Sequence, residues 1–142
     1  MVRTGCALLF LSICGIEDLR KKEISWILIL GGTGISGFLQ GCGAGTQLGQ
    51  CIGGAAVGVL LTGVAFLTRE AIGYGDGAVT AIAGMMLGLS RIVEILLIAL
   101  GAAAVVSAVL LMLKKAGRKK ELPFIPFLAC AGWFCVMMET VL

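Results

Sequence analysis

Residues Ala71-Ile72-Gly73-Tyr74-Gly75-Asp76-Gly77 set one carboxylate among three glycines, between two apolar runs. The run before them, Cys51 to Thr68, is long enough to cross a bilayer, whereas the run after them, Gly77 to Leu89, is too short. A short helix at membrane depth is tolerated only where protein surrounds it or where it lines a water-filled cavity. An acidic residue in that setting is a functional-site hypothesis by default. The stretch therefore predicts a short fourth helix inside a larger bundle, with Asp76 at its start and a hydrated pocket beside it.

The rest of the chain supports that frame. Hydrophobic residues make up 59% of the sequence and charged residues 13%, far from the balance of soluble globular domains. The expected class is all-α, a polytopic membrane bundle of about six transmembrane helices, because spans of roughly 20 residues with short connections use the whole length. Residues 1–142 then form a single membrane-embedded domain. The other apolar runs are Val2 to Ile16, Ile24 to Leu39, Ile92 to Leu113 and Leu122 to Leu142, with Ser90-Arg91 breaking the pattern between the fourth and fifth. The last run opens on Pro123 and Pro126, placed where a first helical turn accepts proline. In the third, Gly49/Gly53 and Gly54/Gly58 have the small-xxx-small spacing that lets helix backbones approach closely in lipid.

Several function classes are excluded. Histidine is absent, which removes the usual proton shuttle and the commonest metal ligand. Six cysteines (Cys6, Cys14, Cys42, Cys51, Cys130 and Cys135) make no C-x-x-C pair and read as small packing residues. No metal or cofactor is expected. The net charge of +3 comes from basic residues beside apolar runs, with no aromatic or arginine stripe to suggest a nucleic acid partner.

The basic residues instead report topology. If six spans alternate, one face carries Arg20, Lys21, Lys22, Arg69, Lys114, Lys115, Arg118, Lys119 and Lys120, and the other only Arg3 and Arg91. By the positive-inside rule the richer face is cytoplasmic and the N-terminus lies outside. Asp18, closing span one, and Asp76, opening span four, then share the cytoplasmic end of the bundle. Two facing carboxylates suffice for aspartic-protease chemistry: the ionised one takes a proton from water, and the protonated one polarises the scissile carbonyl. Asp76 sits where a helix N-terminus stabilises its anion. Asp18 ends a helix next to Glu17, which favours the neutral acid against the pull of Arg20 and Lys21. Asp76 is the expected base and Asp18 the expected acid. Gly73 and Gly75 are expected to let the chain leave helical geometry before Asp76 and to expose backbone to an extended substrate. Tyr74 is a candidate substrate contact, with loop packing an equal alternative. Glu94 and Glu139 fall toward the opposite face, where they reach headgroups or water, and Lys114 to Lys120 is a topology determinant that touches anionic lipid.

Gly73-Tyr74-Gly75-Asp76 resembles the G-x-G-D motif of the type IV prepilin and archaeal preflagellin peptidases, a family of membrane aspartyl proteases. Asp18-Leu19-Arg20, with Ile24 six residues after the Asp, is similar to that family's first-aspartate motif, and Leu122-Pro123-Phe124-Ile125-Pro126 to the proline-rich start of its last span. Ser25-Trp26 departs from the usual Pro-Asn, and Ala78 stands where many members have Lys. The resemblance implies an endopeptidase in the plasma membrane that cleaves the leader of a prepilin-like membrane protein at the cytoplasmic face. Asp18 and Asp76 would be catalytic, with Gly73, Tyr74, Gly75, Arg20, Pro123 and Pro126 in motif or substrate-binding positions. Bifunctional members carry paired C-x-x-C motifs and N-methylate the product; without such motifs, peptidase activity alone is expected here.

Two rivals stand against this reading. One is a catalytically inactive membrane scaffold of a pilus or secretion machine. The other is a potassium-channel-like pore, since Ile72-Gly73-Tyr74-Gly75-Asp76 also looks like a selectivity filter. Ala71 in place of the filter's Thr, Arg69-Glu70 where a pore helix should end, and the cytoplasmic side of Asp76 all count against the pore.

Overall fold

Six helices form among the described residues of the computed structural model, which are 1–21, 24–43, 47–67, 74–113 and 123–142. They are α1 (Val2–Lys21), α2 (Trp26–Gly41), α3 (Leu48–Leu67), α4 (Tyr74–Leu87), α5 (Leu89–Met112) and α6 (Ile125–Val141). The chain is an all-α membrane bundle. Helices α3 and α5 are long and apolar enough to cross a bilayer. Ile27, Leu30 and Phe38 of α2, Phe66 of α3, and Leu97 and Val105 of α5 all point outward from the bundle. So much exposed apolar surface would aggregate in water, whereas lipid solvates it.

The shortest helix is the hub. Helix α4 has 14 residues and packs against α1, α2, α3 and α5. Val79, Ile82, Ala83, Met86 and Leu87 of α4 meet Phe10, Leu11 and Cys14 of α1, Ile92 and Ile95 of α5, and Ile125 and Leu128 of α6 in one core. This burial is what the length of α4 requires, since a helix that cannot reach both interfaces needs protein around it.

Its closest neighbour is α3, and small residues make the approach possible. A Cβ on Gly54 would run into the Gly84 carbonyl, one on Gly58 into the backbone of Ala81, and one on Gly77 into the Thr62 hydroxyl. Gly54, Gly58 and Thr62 thus face Gly84, Ala81 and Gly77 in antiparallel order along the two helices. The packing expected of the Gly54/Gly58 pair is present, and it continues to the residue next to Asp76.

Three boundaries differ from the hydropathy pattern. Helix α1 runs on through Glu17 and Asp18 to Lys21, because the last turn of a helix accepts charged residues once its apolar part is packed. Helix α4 starts at Tyr74, which puts Gly75 in its first turn rather than in an unwound stretch. The break before α5 falls at Gly88, whose φ of 90° belongs to the left-handed region that glycine occupies freely, so Ser90 and Arg91 lie inside α5. Pro126 occupies the first turn of α6, and Pro123 precedes its N-cap Phe124. Gly73, Lys22, Arg69 and Lys114 to Lys120 lie outside the described residues.

Candidate functional site

Asp18 is buried, with 8% of its surface exposed. It stands one turn beyond Cys14 on the inward face of α1, which also carries Ala7, Leu11 and Gly15. Its Oδ2 has no hydrogen-bond partner among the described residues, an expensive state for a carboxyl group and one expected where an added group completes the site. Gly15 packs on the start of α6: a Cβ there would lie 3.4 Å from the Cα of Pro126. Pro126 therefore borders the helical turn that ends at Asp18. Arg20 is exposed, two residues after Asp18 and so on the opposite side of the helix.

Asp76 is the third residue of α4 and is partly buried. Its backbone carbonyl accepts a 2.7 Å hydrogen bond from the Thr80 hydroxyl, and Thr80 is fully buried. Gly77, seated on Thr62, fixes the other side of the same turn. Thr62 is itself anchored, donating to the Gly58 carbonyl at 3.0 Å. That turn is the N-terminus of α4, whose positive dipole end favours a carboxylate. Tyr74 is exposed at 46%, at the outer edge of the turn.

Packing ties the two aspartates to one end of the bundle. Gly32 of α2 is wedged between the Phe10 ring of α1 and Ile82 of α4, so these three residues share a level. Asp18 lies eight residues beyond Phe10 and Asp76 six residues before Ile82, rises of about 12 and about 9 Å at 1.5 Å per residue. The backbone positions of Asp18 and Asp76 are therefore within about 3 Å of the same depth. Ile24, six residues after Asp18 in sequence, occupies the space a Cβ on Gly75 would need. Among the described residues, no three His, Cys, Asp or Glu side chains lie close enough to share a metal ion.

Three interactions were not read from the sequence. Ile24 seats on Gly75. Trp133 Nε1 donates to Ser12 Oγ at 3.0 Å, joining α6 to α1. At the end remote from the aspartates, Arg91 makes a two-point ion pair with Glu139, at 2.7 and 2.5 Å. Only the last left a usable trace, in two opposite charges at the same end of neighbouring spans.

Comparison with known proteins shows the family. The model of the type IV leader peptidase family matches residues 6–112, a stretch that holds both aspartates. A prepilin leader peptidase/N-methyltransferase of Aeromonas hydrophila is 32% identical over 101 residues, covering 67% of this chain and 35% of the relative. Proteins of the same description from Aeromonas salmonicida (35% identical, 55% of this chain, 25% of the relative) and Xanthomonas campestris (40%, 46% and 23%) match shorter stretches. The chain thus spans about a quarter to a third of the length of these relatives. No solved structure matches it. With three-quarters of its length matched by the family model, including both aspartate-bearing helix ends, the chain belongs to the type IV leader peptidase family.

Proposed function

We propose that this chain is a membrane aspartic endopeptidase that cleaves the leader of a prepilin-like substrate, with Asp18 and Asp76 as the catalytic pair. The observation that carries the reading is the shared depth of the two aspartate positions, one buried at the end of α1 and the other in the first turn of α4. Asp76, at a helix N-terminus, is the base: it takes a proton from water as the oxygen bonds to the scissile carbonyl carbon. Asp18 carries the proton that hydrogen-bonds the carbonyl oxygen. As the tetrahedral intermediate collapses and the C–N bond breaks, a proton passes to the leaving amine and the pair returns to its singly protonated state.

The basic residues Arg20 and Lys21 close α1 at this same end, whereas Arg91 lies at the other. That distribution supports a multi-pass protein of the plasma membrane with the site on the cytoplasmic side. A pore of the potassium-channel kind is disfavoured, because Tyr74, Gly75 and Asp76 are helical and their carbonyls are directed along the helix rather than toward an ion.

The test is cleavage of a panel of prepilin-leader peptides by the protein in liposomes, comparing wild type with Asp18→Asn and Asp76→Asn. Loss of cleavage in both variants, with unfolding temperatures unchanged, is the expected result. Cleavage that survives either substitution refutes the pair. Wild-type protein inert toward every leader would favour a scaffold.

A further inference from the structure

Asp76 sits where the backbone of α4 is least constrained. It is the third residue of the helix, in the first turn, and helix ends fray. The next residue is glycine. The approach of α3 requires it, since a Cβ on Gly77 would run into the Thr62 hydroxyl and come within 3.1 Å of the Gly58 carbonyl oxygen. Glycine is also the residue whose backbone turns most freely, and rotation about the N–Cα bond of Gly77 moves Asp76 relative to the rest of the helix.

Thr80 restrains that rotation. Its hydroxyl donates to the Asp76 carbonyl at 2.7 Å, and in a regular helix the same carbonyl also accepts the N–H of residue 80. One residue thus supplies two donors to the peptide plane between Asp76 and Gly77. Thr62 holds Gly77 from α3, and Thr80 holds the plane before it from within α4.

Stability does not account for this bond. Thr80 is fully buried, with Val79, Ile82 and Ala83 of the core as its neighbours in sequence. Valine has the same shape and would bring no hydroxyl to satisfy there. A hydroxyl bonded to the carbonyl four residues back slightly destabilises a helix and bends it. Ser12, Thr33, Thr62 and Thr140 make the same kind of bond, but each of them is exposed or half-buried. Only at Thr80 is the acceptor a residue proposed to do chemistry.

We propose that Thr80 is a positioning residue for Asp76, its hydroxyl fixing the Asp76–Gly77 peptide plane and so the place from which the carboxylate meets water and substrate. The assignment rests on the peptidase reading and adds to it a residue that never touches the reacting atoms.

Steady-state leader cleavage by the full chain in liposomes tests it. Thr80→Val lowers kcat about tenfold or more, as a sub-ångström to 1 Å displacement of a catalytic group does. It leaves KM within about twofold and does not lower the unfolding temperature. Thr80→Ser keeps the hydroxyl and recovers most of the rate. Should the valine variant fail to fold, Thr80→Ala against Thr80→Ser makes the same comparison at nearly equal size, with the alanine variant the slow one. Thr140→Val removes the same kind of bond from the exposed side of α6 and leaves cleavage unchanged. A valine or alanine variant as fast as the serine variant, with Asp76→Asn inert, overturns the role of Thr80 alone. Cleavage by Asp76→Asn, or wild type inert toward every leader, overturns the peptidase reading and this assignment with it.

Discussion

The side chain of Ile24 fills the space that a Cβ on Gly75 would take, joining the segment after Asp18 to the turn that holds Asp76. The glycine is needed for this contact, because the residue is already helical and its conformation alone would accept alanine.

Gly75→Ala is therefore expected to push Ile24 away and to lower both stability and leader cleavage. Ile24→Val, which removes the offending Cδ1, should recover part of the loss in the double variant. Overpacking of this kind costs about 1–3 kcal/mol, and the two changes should be non-additive. Unfolding in detergent and cleavage rates for the four proteins of the cycle measure it. Additive effects would mean that the contact does not link the two motifs.

The α3/α4 pair offers a contrast between a packed and an exposed glycine. Gly84→Ala drives a methyl group into the Gly54 carbonyl, where backbone cannot move aside, and should destabilise by about 1–3 kcal/mol or prevent folding. Gly63→Ala, on the exposed face of α3 with nothing within 4 Å of the added carbon, should be neutral or stabilising by up to about 1 kcal/mol. Thermal unfolding of both variants in the same detergent decides the matter.

In the proposed mechanism the carboxylate pair works with one proton, and that sets the expected pH response. When pH falls, both groups are protonated and the base is lost; when it rises, both are ionised and the acid is lost. The rate constant kcat/KM for leader cleavage should follow a bell whose two limbs belong to the pair as a unit. A profile that rises to a plateau would point to a single titrating group and against the division of roles between Asp18 and Asp76.

The hydrogen bond from Trp133 to Ser12 clips α6 to α1 at 3.0 Å. Ser12→Ala should cost about 0.6 kcal/mol, the average found for interhelical bonds in membrane proteins, while Trp133→Phe also loses part of the indole's packing. The double variant should be less destabilised than the sum of the two, as measured by unfolding in detergent.

Hydropathy alone was enough to establish a membrane bundle of six apolar segments, the shortness of the fourth, and the location of both motifs at segment ends. Each of these is a property of local composition, and transfer into lipid depends on composition segment by segment. Burial of α4 was one of the two settings its length allowed, the other being the wall of a water-filled cavity. Tertiary structure decided the partners: Gly32 between Phe10 and Ile82, Ile24 on Gly75, Thr62 on Gly77, and Arg91 with Glu139. It also moved the α4/α5 break to Gly88 and carried α1 helical through Asp18. A helix that is apolar all around carries almost no periodic signal of which face is buried, because lipid and protein interior accept the same side chains. Face and register are therefore chosen by shape, by where a missing Cβ lets one backbone approach another, and that choice exists only once the helices meet.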